Sequence, residues 1–179
     1  MKKIISLAFV VLTLFVFSGC SKQEPNVAVN DIMEDIKNQI AKDMKAAGVP
    51  EDSFKDGKLP GILQIDFTSE ESDPMIENML ELLNKEDIEQ GIGLVQMMNV
   101  KSDQIFVLKA ADESKVSILK EALEKQKEKQ EQIWSTYLPD QYEKVKNNII
   151  KVNGKYLIYI TYDNPEKIEE IFDNFLNEK

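Results

Sequence analysis

Ile149-Ile150-Lys151-Val152-Asn153-Gly154-Lys155-Tyr156-Leu157-Ile158-Tyr159-Ile160-Thr161-Tyr162 carries the clearest structural signal in the chain. An Asn-Gly pair between two runs rich in β-branched and aromatic residues predicts a tight β-hairpin, because both residues tolerate the positive φ that such turns require. In the second run Tyr156, Ile158, Ile160 and Tyr162 share one face, while Leu157 and Tyr159 share the other. A sheet with one wet side shows polar residues on that side, and this strand mostly does not. Something must cover both faces.

Working outward, Asn164-Pro165 starts a C-terminal helix whose Ile168, Ile171, Phe172, Phe175 and Leu176 lie on one side. Upstream, Leu138-Pro139-Asp140 opens a short helix through Tyr142 and Val145. Before it runs a long helix from about Asp112, with Val116, Leu119, Leu123, Ile133 and Trp134 on one face. Residues 92–100 and 104–110 flank the polar turn Lys101-Ser102-Asp103 and predict an earlier hairpin. There Leu94 and Met98 point one way, and Val95 and Met97 the other.

The second half therefore reads hairpin, helix, hairpin, helix. Toward the N-terminus, Val29, Ile32, Met33, Ile36, Ile40 and Met44 predict an amphipathic helix over about 30–47, ended by Gly48 and Pro50. Leu63, Ile65 and Phe67 alternate as in a short strand. Asp73-Pro74, an N-cap followed by proline at the first helical position, starts a second helix with Met75, Ile76, Met79, Leu80 and Leu83 on its stripe. The fold expected is α+β: an antiparallel sheet of about four strands, built from two hairpins each followed by helix, with one or two N-terminal helices packed on it. Those N-terminal helices are the expected cover for the second face, and a partner is the alternative.

The first residues have a different grammar. Met1-Lys2-Lys3 precedes fourteen uncharged residues, Ile4 to Phe17, and then Ser18-Gly19-Cys20. Two lysines, a short apolar run and small residues make a secretory signal, and the run is too short for the ~20 residues of a membrane span. Phe17-Ser18-Gly19-Cys20 resembles a bacterial lipobox, in which the cysteine receives a diacylglycerol thioether and becomes the mature N-terminus. Phe17 stands where leucine is usual. The domain plan expected is a signal peptide over 1–19, removed; a lipid-anchored polar tether over 20–27; and one α+β domain over 28–179. One acyl chain anchors marginally and two anchor stably, at about 0.8 kcal/mol per buried methylene.

Composition removes whole classes of chemistry. The 179 residues hold 22 lysines but no arginine and no histidine, and one cysteine. That excludes a Ser-His-Asp triad, a Cys-His pair, His-ligated metals, Cys-based zinc or iron–sulfur sites and internal disulfides. Without the first 19 residues, 20 lysines face 32 carboxylates, a net charge of −12 that repels nucleic acid. No GxGxxG, Walker A or GxSxG string occurs.

Four groups of residues have a composition that could make a site. Glu70, Glu71 and Asp73 offer oxygens for Ca²⁺, but lack EF-hand spacing, and Asp73 already has a capping role; a solvated loop is the reading preferred. Met75, Met79, Met97 and Met98 have the thioethers of a Cu(I) site or an adaptable groove, yet at helical and strand spacing they read as core. Trp134, Tyr137 and Tyr142 bracket the helix break at Pro139 and read as a packed corner. Lys125 to Glu131 reads as a solvated helix face.

Met97-Met98-Asn99-Val100-Lys101-Ser102-Asp103-Gln104-Ile105 resembles the hairpin of the domain-of-unknown-function 4358 family, found in lipoproteins of Firmicutes. Tyr137-Leu138-Pro139-Asp140-Gln141-Tyr142 and the strand after Asn153-Gly154-Lys155-Tyr156 fit the same pattern, over roughly residues 90–176. Gln104 stands where an acidic residue is common. The resemblance implies location and fold and no catalytic residues.

The expectation is therefore a lipid-anchored extracytoplasmic domain that binds an envelope protein or a small ligand. It is held to the membrane through the lipid on Cys20, with no enzyme activity, no cofactor, no metal and no nucleic acid. The alternative is an envelope hydrolase using paired carboxylates, for instance on cell-wall glycan. A transporter's solute-binding protein fits less well, since 160 residues hardly make two lobes around a ligand.

Overall fold

The computed structural model describes residues 25–55, 57–69 and 83–177. Within them lie α1 (Val29–Ala46), β1 (Ile62–Asp66), β2 (Ile88–Gln96), β3 (Gln104–Ala110), α2 (Val116–Ser135), α3 (Pro139–Lys146), β4 (Ile149–Asn153), β5 (Tyr156–Thr161) and α4 (Pro165–Asn177). The architecture is α+β, as expected from the sequence. The strands form one antiparallel sheet in the order β1-β2-β3-β5-β4. The sheet thus has five strands rather than about four. The fifth is β1, which pairs along β2 from Ile62 opposite Gln96 to Asp66 opposite Ile92.

The second hairpin forms where the sequence places it, with its tight turn shifted by one residue from Asn153-Gly154. Asn153 pairs with Tyr156, so the two turn residues are Gly154 and Lys155, and Gly154 takes the positive φ of 56°. Helix α1 ends where Gly48 adopts φ 90°, and the Val49 amide donates back to the Met44 carbonyl. That 6→1 bond satisfies a carbonyl the helix itself leaves open.

Both faces of the sheet are dry. On one, Ile105, Val107, Tyr156, Ile158 and Ile160 meet Ile32, Met33, Ile36 and Ile40 of α1 and Ile168 and Phe172 of α4. Each such side chain, fully buried, contributes about 1.5–3 kcal/mol. On the other, Phe106, Leu108, Leu157 and Tyr159 meet Leu119 and Leu123 of α2. The second face is therefore covered by α2, from the middle of the chain, while α1 shares the first face with α4. The N-terminal helix α1 packs on the sheet as expected, but on the face it shares with α4, and α2 meets the second face. The predicted helix from Asp73, with Met75 and Met79, lies outside the described residues.

Aromatic rings cross the second face in sequence. Phe67 meets Phe106 edge-on at 5.5 Å, and Phe106 stacks on Tyr159 at 5.1 Å. Gly91 and Gly93 sit in the middle of β2 because Phe67 lies against them: a Cβ on Gly93 would stand 2.8 Å from Phe67 Cζ.

Candidate binding surface

The end of the sheet where β2 turns into β3 departs most from the sequence reading. Strand β2 stops at Gln96, whose amide donates to the Asp103 carbonyl, and 97–103 is a loop. The expected strand to Val100 is corrected accordingly. Met98 and Lys101 close a turn through the Lys101 amide. Met97 is 66% exposed, Met98 49% and Val100 48%, so these methionines are not core as the sequence suggested. Their apolar character mimics a continuing strand, but among the described residues no strand lies beyond Gln96 to cover them.

The base of this loop is held from beneath. The Ser102 amide donates to Gln141 Oε1 at 3.0 Å, and its hydroxyl reaches the same oxygen at 3.2 Å. One helical turn further along α3, Lys144 Nζ donates to Asp103 Oδ1 at 2.7 Å and pairs with Asp163 at the same distance. Ser102 and Asp103 are buried, and the Lys144 and Asp103 side chains are only 9% and 11% exposed. Burial alone lowers a lysine's pKa, but the attraction and hydrogen bonds of the two carboxylates outweigh it, and Lys144 is held above its ordinary range. Burial pushes Asp103 up, with Lys144 pulling it back. The loop is thus a rigid base carrying an exposed apolar tip.

The corner between α2 and α3 stands at the same end. Pro139 opens α3 at its first helical position, which brings Gln141 under Ser102. Trp134 is buried and donates from its indole nitrogen to Gln130 at 3.0 Å, with Tyr137 5.7 Å away. Tyr137 itself is 54% exposed, and Tyr142 lies under Lys146. Trp134 packs as the corner residue expected and Tyr142 is half-buried, while Tyr137 departs from the expectation. Ile133 is exposed rather than facing the sheet, and the stripe continues instead through Gln126 and Gln130. These two glutamines are buried inside the segment read as a solvated face, with Gln126 donating to Gln104 at 3.1 Å. Tyr159 ends in the same polar region. Burial holds its hydroxyl proton well above the ordinary range, and Tyr162 is held likewise by burial and then by Asp43.

Beside α3 an open cleft of about 590 Å³ is lined by Asp140, Lys144, Asn148, Tyr162, Asp163 and Glu166, among others. Asp163 is paired with Lys144, and Asp140 is held below its ordinary range, first by its hydrogen bond from Gln141. A general acid needs the opposite shift. Among the described residues no group of three or more His, Cys, Asp or Glu is placed to hold a metal ion, and no helix is long and apolar enough to cross a membrane. Cys20, Glu70, Glu71, Asp73, Met75 and Met79 lie outside the described residues.

At the opposite end of the sheet the N-terminal segment is fastened down. The Tyr156 hydroxyl accepts from the Val27 amide at 2.9 Å and donates to the Val27 carbonyl at 2.7 Å. Buried Lys109 donates to Asn26 and to Glu89, and the Val29 amide donates to Gln90.

These features define a class: a two-faced antiparallel α+β domain with a clamped apolar loop at one end and a stapled N-terminal segment at the other. The chain belongs to the family described as Domain of unknown function (DUF4358), whose model matches residues 64–162. The match takes in the whole of β2 to β5 and most of β1, beginning further upstream than the resemblance over 90–176 and ending at Tyr162, before α4. No curated protein and no solved structure matches the chain significantly.

Proposed function

We propose that this protein is a lipid-anchored domain on the extracytoplasmic face of the cell membrane, that Cys20 carries the lipid, and that the domain acts by binding. The observation that carries the binding role is the loop 97–103. Three large apolar side chains, Met97 two-thirds exposed and Met98 and Val100 just under half, stand on a base fixed by Gln141 and Lys144. A rigid apolar projection loses little conformational freedom when covered, which is the condition for a strong contact. Methionine adapts its shape to the pocket that takes it. The anchor rests on the lipobox-like Phe17-Ser18-Gly19-Cys20 and the short run before it.

The alternative, a carboxylate-based envelope hydrolase, has the cleft beside α3 to draw on. There Asp140 is held toward its ionised form and Asp163 is paired with Lys144, which favours binding over acid–base work. The test is metabolic labelling with an alkynyl fatty acid, together with a photo-crosslinker at position 97. Label on the wild type but not on Cys20→Ser, and a discrete adduct lost in Met98→Asp, are expected. Label retained by Cys20→Ser, or glycan hydrolysis by the purified protein, overturns the reading.

A further inference from the structure

The two ends of the sheet give the domain a direction. Lys109 and Tyr156, which hold Asn26 and Val27, pair with each other across β3 and β5, and Gln90 lies opposite Lys109 on β2. From Gln90 the strand runs six residues to Gln96, about 20 Å at the rise of an antiparallel strand, and the tip of the loop lies beyond that. Asn26 lies six residue steps from Cys20, which span at most about 21 Å of extended chain. That tether is too short to run back along the strand and past the loop. Laying the domain on its side would instead press a chain of net charge −12 beyond residue 19 against anionic headgroups, which repel it.

We propose that Met97, Met98 and Val100 form the membrane-distal tip of the tethered domain, and that their occupant is a second protein with an apolar pocket, not the bilayer. This rests on the lipid anchor at Cys20. A lipid-inserting loop belongs beside the anchor; this one is at the other end of the strands. A partner is met facing outward, and an aliphatic or aromatic pocket matches unbranched thioethers better than a charged surface does.

Since the lipid uses the chain's only thiol, Met97→Cys and Glu113→Cys each add one free thiol, at the loop and at the exposed turn beside the tether end. Each lipidated variant carries a fluorophore there and is placed in phosphatidylglycerol–phosphatidylethanolamine vesicles containing nitroxide-headgroup lipid. The expected result is loss of fluorescence at position 113 and none at position 97. Quenching at 97 overturns the proposal and makes the bilayer the occupant. Protein that fails to stay on the vesicles, with neither label quenched, instead overturns the anchor on which the proposal rests. A benzophenone on the position-97 thiol in intact cells is expected to join one protein, which when purified binds the wild-type domain and not Met98→Asp. Adducts to lipid, or none with label 97 unquenched, overturn the protein occupant.

Discussion

Lys144→Met tests whether the loop base is held by charge. Methionine keeps most of the lysine's apolar stem but removes the ammonium from two carboxylates, each 2.7 Å away. Asp163, 66% exposed, passes to water at little cost, whereas Asp103, 11% exposed, is left buried without its cation. Removing one partner of a buried pair costs about 3–5 kcal/mol, and the residual exposure here brings the expectation to about 2–4 kcal/mol at neutral pH. For a chain of this length that is a fall in Tm of about 4–16 °C. Asp103→Asn in the same background removes the stranded charge and should return at least about half of the loss. The pH dependence has a definite sign. Burial already raises the Asp103 carboxyl. Without Lys144 its folded pKa rises further above the unfolded value, so the variant gains stability relative to wild type as pH falls toward 4. A double-mutant cycle by urea denaturation reads all of this. A cost below about 1 kcal/mol, or simple additivity of the two substitutions, refutes the clamp as an electrostatic device.

Tyr159, Tyr162 and Lys144 are all held above their ordinary pKa values. Stability is therefore intact below pH 10 and falls as pH rises beyond it, by up to about 1.4 kcal/mol per unit for each group; urea melts at pH 8, 10 and 11 check this, and a flat profile contradicts it. Gly93→Ala forces a methyl to 2.8 Å from Phe67 Cζ and 3.0 Å from Phe106 Cδ1, and should cost about 1–3 kcal/mol in the same assay. Met97→Asp and Met98→Asp should change stability by no more than about 0.5 kcal/mol, because both side chains face solvent, and a larger loss would mean the loop is packed rather than presented.

What the sequence disclosed follows from the range of the interactions involved. Local patterns were legible: the hairpin turn at Gly154, the glycine stop of α1, the proline starts of α3 and α4, and the alternation that makes β5 two-faced. What α2 covers was not, because its Leu119 and Leu123 stripe fits either face of a sheet that is apolar on both. The limit of β2 was also hidden, since Met97, Met98 and Val100 satisfy an apolar count whether or not a neighbouring strand exists. The clamp joins residues about forty positions apart. Its one local trace is the spacing of Gln141 and Lys144, three apart on one face of a short helix, opposite adjacent Ser102 and Asp103. Gln126 and Gln130 were readable in retrospect: they extend the Leu119–Leu123 stripe at helical spacing, and a polar residue in that position asks for a buried partner, which Gln104 supplies to Gln126.

The protein proposed is an anchored domain that binds through its outer loop. Native mass spectrometry of the protein gently extracted from its own membranes tests both halves at once. The predicted result is the mass of Cys20–Lys179 plus lipid, accompanied by the added mass of a protein partner that disappears with Met97→Asp/Met98→Asp. A chain still bearing residues 1–19 without lipid, or a lipidated monomer whose bound mass is indifferent to the loop, would contradict it.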